Sequence, residues 1–197
     1  MLSISNDTAA AKPEDLGDRI LDAAASCVLA YGVDRVTLAE IARRAGVSRP
    51  TIYRRWPDTR ALLAALLTAR IIRVLRDLPS RGTGREALVE RIVAVAERLR
   101  HDDVVMSVFH SAPELAMVYI AERLGTSQQI LIEAVAAELK TAQRDGSVRA
   151  GDPHQLAAMC LLITQSTIQS AQIVAPILDA DALAAELTRA LNGYLRP

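Results

Sequence analysis

The chain has 197 residues, 51% of them hydrophobic and 3% aromatic, and its 23 basic side chains are balanced by 23 acidic ones. That length holds one or two compact units, and a neutral total excludes a general polyanion binder, so any surface for nucleic acid has to be local. Abundant Ala and Leu with few aromatics favour helices over strands, and two cysteines, Cys27 and Cys160, in separate helical patterns imply neither a disulfide nor an oxidising compartment.

Residues 1–12, MLSISNDTAAAK, are small and polar and are expected to form a flexible arm. Pro13 opens a first helix to about Tyr31, with Ile20, Ala24 and Cys27 on its inner face. Residues 36–56 then read VTLAEIARRAGVSRPTIYRRW, two short helices about a tight turn. Thr37 and Glu40 have the spacing of a capping box, and Leu38, Ile41 and Ala42 fall on one face. Gly46 suits the left-handed end of a helix, and Val47 plugs the turn. Ser48 caps the next helix and Pro50 sits in its first turn. Ile52 points inward, which leaves Arg49, Pro50, Thr51, Tyr53, Arg54 and Arg55 at the surface.

Pro57 and Asp58 start a fourth helix, whose Leu62, Leu66, Ile71, Val74 and Leu78 run to Pro79. The sequence PSRGTG at 79–84 breaks the pattern. Helical patterns follow at 85–100, 104–110, 113–124, 126–144 and 153–174, with a last helix capped by Asp179 or Asp181 and ending near Tyr194. No period-two pattern is present. The expected fold is all-α, with about nine helices. It divides into a flexible arm at 1–12, a three-helix unit at 13–60, and a helical domain at 61–197, joined by helix four at 58–78. The longest wholly apolar run, 156–163, is too short to span a bilayer, and no signal peptide is read, so the expectation is a cytoplasmic protein without a membrane partner.

Between Arg35 and Arg60 seven arginines stand against two acids, while the rest of the chain carries 16 basic and 21 acidic residues. One concentrated positive patch on an exposed short helix has the form of a phosphate-facing surface that enters the major groove of DNA. Arg49 and Thr51 begin that helix and are best placed to reach base edges, with Pro50 adding an apolar contact. Tyr53 and Arg55 are expected to clamp phosphates, Thr37 and Arg43 to hold the flanking backbone, and Ser48 and Arg54 to complete the surface. The amide end of helix four near Asp58 is a further phosphate position. Trp56 is expected to pack between helices.

The run GVSRPTIYRRWPDTRALL, with VTLAEIARRA before it, resembles the DNA-binding domain of the TetR family of bacterial transcription regulators. The resemblance covers about residues 15–65 and includes a first helix ending in Tyr31-Gly32 and an aromatic-Pro step into a long fourth helix. Beyond that region only length and helical character agree. Many family members carry a lysine just after the aromatic-Pro step; here Asp58 and Thr59 precede Arg60, which takes that part. The resemblance implies a homodimer on a (pseudo)palindromic double-stranded operator, with the last two helices forming an intersubunit bundle. It also implies a repressor released from its operator when a small-molecule effector binds the C-terminal domain. Activation by the same fold remains the alternative.

Dimer candidates are Leu156, Cys160 and Thr167 on the penultimate helix and Leu183, Leu187 and Leu191 on the last. Candidate effector-lining residues are Leu67, Ile71, Met106, Phe109, Met117, Tyr119, Met159, Ile163, Gln165 and Gln169, each of which can equally be plain core. Gln165, Gln169 and Gln172 form a polar row at i, i+4 and i+7. The scarcity of charge among these candidates favours a small apolar effector, or a weakly polar one. Catalysis has little support: there is no phosphate loop, nucleophile elbow or CxxC pair, and no cofactor is implied. His101, Asp102, Asp103 and His110 cluster in sequence, but their spacing does not place both histidines on one helical face, so no metal is assigned. The competing readings are an all-helical small-molecule-binding protein or enzyme with an incidental basic hairpin, and a helical adaptor whose arginines face an acidic partner.

Overall fold

The computed structural model describes residues 15–111 and 125–197. Asp15 begins the described chain as a cap, its carboxylate accepting the Gly17 amide at 3.1 Å. Helix α1 spans Leu16–Tyr31, and a single 3-10 turn, Val33–Arg35, leads into α2, Leu38–Ala45. Helix α3 is Arg49–Arg55, α4 Thr59–Asp77, α5 Gly84–Arg100 and α6 Asp103–Ser111. After the second described segment begins, α7 spans Thr126–Arg144, α8 Pro153–Val174 and α9 Ala180–Leu195. Among the described residues every regular element is helical, as the sequence periodicity leads one to expect. The arm at 1–12, Pro13 and the helix expected at 113–124 lie outside the described residues.

Aspartates cap α4, α8 and α9, whereas Thr83 and Gly125 stand at the starts of α5 and α7. Asp58 accepts the Ala61 amide at 2.7 Å, Asp152 the His154 and Gln155 amides at 2.8 and 2.9 Å, and Asp179 the Ala182 amide at 2.8 Å. Each carboxylate satisfies donors that the first helical turn leaves unpaired and sits at the positive end of the helix dipole.

Two apolar cores organise the chain. The first gathers Ile20, Cys27 and Val28 of α1, Leu38 and Ile41 of α2, Ile52 of α3 and Leu62 and Leu66 of α4. It does not stop at residue 60. It continues through Leu67 and Val74 of α4, Val95 and Leu99 of α5, and Val104, Val105 and Val108 of α6. The N-terminal unit therefore shares its interior with α4 and α6, both of which pack on α1. The second core joins Leu88 and Val89 of α5, Leu139 of α7, Leu156 and Cys160 of α8, and Leu187, Leu191 and Leu195 of α9. Helix α5 contributes to both.

Helix α8, with 22 residues, is long and apolar enough by length and composition to cross a membrane, more so than the short run 156–163 indicates. One side of it, Leu156, Ala157, Cys160 and Thr164, is interior. On other sides Met159, Leu162 and Ile173 are exposed.

Candidate nucleic-acid interface

The turn between α2 and α3 is built by Gly46 and Val47. Gly46 adopts φ 64°, ψ 36°, which a side chain at this position resists. Its amide donates to the Arg43 carbonyl at 3.3 Å and the Val47 amide to the Ala42 carbonyl at 2.9 Å, the two bonds of a Schellman termination. Val47 packs against the first core. Thr37 caps α2 by accepting the Glu40 amide at 3.2 Å. The reciprocal half of the expected box is replaced, because the Glu40 carboxylate takes two bonds from Arg43, at 2.9 and 2.6 Å. That pairing, chiefly through the side-chain hydrogen bond, holds the Glu40 carboxyl below its usual range and pushes the Arg43 guanidinium up.

Helix α3 is anchored through one fully buried side chain, Ile52. Ser48 caps it, with Oγ 3.3 Å from the Thr51 amide and 2.7 Å from Thr51 Oγ1. Arg49, Pro50, Tyr53 and Arg54 are exposed and Thr51 is half-buried, so the start and outer side of α3 face outward together with Arg43 and Arg60. Trp56 is half-buried against the first core, in the packing position expected of it.

Arg55 is engaged within the chain. Its Nη2 lies 3.9 Å from Asp15 Oδ2, its guanidinium sits 5.5 Å from the Trp56 ring centroid, and it lies against Gly17, where a Cβ would come within 2.8 Å of Nη2. A phosphate role for Arg55 requires it to leave an exposed pairing. The amide end of α4 is already occupied by the Asp58 carboxylate, which repels a phosphate; this leaves exposed Arg60 as the cation there. Sequence reasoning missed Arg44, which donates to Tyr31 Oη at 3.2 Å and stacks 5.5 Å from that ring, binding the end of α1 to α2.

Behind this unit is an apolar cavity of about 140 Å³. Leu67 and Ile71 of α4, Val105 and Val108 of α6, and Gln165 and Gln169 of α8 are among its walls. Four of the expected lining residues are therefore there: Leu67, Ile71, Gln165 and Gln169. Met159 is not, because it is 41% exposed on the outer side of α8. Ile163 packs against the second core instead, and Met106 is half-buried outside the lining. Met117, Tyr119 and the side chain of Phe109 lie outside the described residues.

Sequence reasoning also missed Arg91, Gln128, Glu138 and Thr164, polar residues among the same walls. A charged residue inside an apolar stripe, as Arg91 is between Leu88 and Val95, is the available signal. Arg91 pairs with Glu138.

Among the described residues no group of three or more metal-ligating side chains forms around His101. His101 Nδ1 lies 2.7 Å from the Glu97 carbonyl, while Asp102 accepts from Arg70 at 3.2 Å and caps α6 through the Val104 and Val105 amides. His110 lies outside the described side chains.

The dimer candidates need correction. Leu156, Cys160, Leu187 and Leu191 are buried in the chain's own second core and offer no surface to a partner. Thr167 is half-buried, its hydroxyl bonded to the Ile163 carbonyl, and Leu183 is half-buried too. The exposed apolar residues in this region are Met159, Leu162, Ile173 and Ile177, the last two 80% and 86% exposed.

Comparison with known proteins gives consistent results. The sequence model of the bacterial regulatory proteins of the tetR family matches residues 20–66. An uncharacterized HTH-type transcriptional regulator of Mycobacterium tuberculosis is 69% identical over 195 residues, covering 99% of this chain and 100% of that protein. The HTH-type transcriptional regulator AqdR of Rhodococcus erythropolis is 43% identical over 68 residues, 34% of this chain and 31% of that one. Among solved structures, the R. erythropolis TetR-family transcriptional repressor QsdR superposes with a TM-score of 0.67 at 20% identity, over 94% of this chain and 98% of that one. The Bacillus subtilis regulator FadR in complex with stearoyl-CoA gives 0.62 at 21% identity, over 90% and 98%.

Proposed function

The chain belongs to the tetR family of bacterial regulatory proteins and is a DNA-binding transcriptional regulator, and from that premise we propose that it is a ligand-responsive repressor. In this reading the outer side of α3 enters the major groove. Arg49 and Thr51 reach base edges, with Pro50 beside them; Tyr53, Arg54 and Arg60 meet phosphates, and Thr37, Arg43 and Ser48 hold the flanking backbone. Arg55 joins them once it releases Asp15.

The observation that carries the regulatory part is the shared wall. Leu67, Val105 and Val108 line the cavity and also belong to the core that supports α1, α2 and α3. A ligand that fits better when α4 and α6 shift moves the seat of the reading helix with them, and it does so only to the extent that it binds one arrangement better than the other. The FadR neighbour is described in complex with stearoyl-CoA, which supports ligand binding on this fold.

One α3 reads too few base pairs to be selective, so two copies are required. The exposed Met159, Leu162, Ile173 and Ile177 form the surface that a second copy covers in this proposal, with the outer side of α9. A regulator acting on DNA resides in the cytoplasm. The test is selection of bound duplexes from a random pool, followed by release of the selected duplex on addition of small apolar compounds. Retention of the duplex by all of them at saturation of the cavity removes ligand-responsive repression.

A further inference from the structure

Two residues of the cavity walls each carry a buried polar atom that has no partner. The hydroxyl of Thr164, a residue 8% exposed, makes no hydrogen bond, and neither does Nε2 of Gln169. Both residues line the cavity from α8. Leaving buried polar atoms unpaired costs free energy, so native proteins seldom do it without a reason.

The Thr164 case is sharpened by its neighbours in kind. Thr68, Thr141, Thr167 and Thr188 each return the hydroxyl to the carbonyl four residues back, at 2.8, 3.5, 2.8 and 2.8 Å. That local solution is available to any helical threonine, and Thr164 does not take it. The adjacent glutamines are already used in part: Gln128 accepts the Gly125 amide at 2.9 Å and donates to Gln165 Oε1 at 3.0 Å. The two charged side chains among the described lining, Arg91 and Glu138, neutralise each other. Two further Arg91 donors go to the Leu78 and Leu75 carbonyls, at 2.7 and 3.3 Å. No described cation in the walls is left for an anionic ligand, and no free carboxylate for a cationic one.

We propose that the effector is a neutral, mostly apolar molecule carrying an uncharged oxygen function, carbonyl or hydroxyl, that hydrogen-bonds Gln169 Nε2 and the Thr164 hydroxyl. This rests on the reading of the cavity as the effector site. It narrows the ligand from any apolar compound to one with a neutral acceptor, and it excludes the carboxylate and ammonium counterparts of the same skeleton. The apolar body fills the space between α4, α5 and α7, where Ile71, Leu131 and Val135 stand.

The test uses the full chain loaded with the neutral dye N-phenyl-1-naphthylamine, displaced by four eight-carbon probes: 2-octanone, octanoate, octylammonium and 1-octene. The ketone is expected to displace the dye at about tenfold lower concentration than the other three, the difference made jointly by its hydrogen bonds to Gln169 and Thr164. Thr164→Val and Gln169→Leu each remove most of that advantage and leave 1-octene unchanged, while Thr164→Ser keeps it. Equal displacement by ketone and alkene, a preference for octanoate, or variants that bind the ketone as the wild type does would overturn the proposal while leaving the cavity reading intact. Failure of the protein to take up the dye or any probe overturns both.

Discussion

Arg91 Nε donates to the Leu78 carbonyl at 2.7 Å, at the residue that ends α4. The same guanidinium reaches the Leu75 carbonyl and the Glu138 carboxylate of α7. One side chain of α5 therefore holds the end of α4 and the facing wall of the cavity together. Arg91→Met preserves much of the volume and removes all three links. Because the Arg91 and Glu138 side chains are only about one-fifth exposed, at 18% and 22%, the loss is expected to be about 1–3 kcal/mol, read as a lower urea midpoint. Glu138→Gln, which keeps an acceptor, costs less. An unchanged midpoint in Arg91→Met shows that the tether contributes nothing.

Arg49 and Arg60 separate two kinds of DNA contact. Arg49→Ala is expected to cost about 1–3 kcal/mol of affinity and to relax preference at one base position. Arg60→Ala weakens all duplexes alike and reduces the slope of log affinity against log salt by about 1. Titrations of both variants against matched and single-substituted duplexes over a salt series distinguish these outcomes. If Arg49→Ala retains the wild-type base preference, Arg49 does not read a base.

Much of this interface was legible because it is local. The caps at Thr37 and Ser48, the Gly46 turn and the inward Ile52 depend on spacing within a few residues, and the structure repeats them. The Asp15 contact with Arg55 and the extension of the first core into α6 depend on residues tens of positions apart, which no local pattern encodes. Four of the six dimer candidates, Leu156, Cys160, Leu187 and Leu191, lie in the chain's own core, a placement illegible in the sequence for a related reason. An apolar stripe on α8 marks burial without saying what buries it, and Leu156 and Cys160 are covered by the chain's own helices. Helix α8 has apolar residues on more than one side, so its periodicity could not pick out Leu162 and Ile173 as the exposed ones. Thr164 was invisible because its significance lies in the partner it lacks, whereas Arg91 shows in the sequence as a charge within an apolar stripe but its partners do not.

Leu162 and Ile173, 61% and 80% exposed, are expected to lie between two copies. The double variant Leu162→Glu with Ile173→Glu places carboxylates in that seam at little cost to the isolated fold. Sedimentation velocity is expected to show a monomer with unchanged helicity, and affinity for a two-half-site duplex falls by about 10²-fold as the linkage between half-sites is lost. A variant that sediments as the wild-type dimer moves the interface elsewhere.

Cys160 lines the cavity and is 1% exposed, and burial pushes its thiol up from an ordinary 9.0 to about 11. At pH 8 the folded thiol stays protonated and resists iodoacetamide, whereas the unfolded chain reacts. Because the folded value is the higher one, the stability linked to this group is complete below pH 9 and is lost as pH rises from 9 towards 11, where only the unfolded chain gains the thiolate. Cys160→Ala is expected to flatten that alkaline decline, followed as urea midpoint against pH. Rapid alkylation of native Cys160 at pH 8 contradicts the burial on which this depends.

The outer side of α3 is expected to read bases in the major groove as part of a two-fold assembly. Selection of bound fragments from a random duplex pool at physiological salt tests it most directly. The expected result is a pseudo-palindromic consensus whose half-sites are separated by one helical turn of DNA or a multiple of it, with sequence preference lost at one position per half-site in Arg49→Ala. Recovery of no consensus, with every duplex held equally weakly and released alike as salt rises, contradicts it.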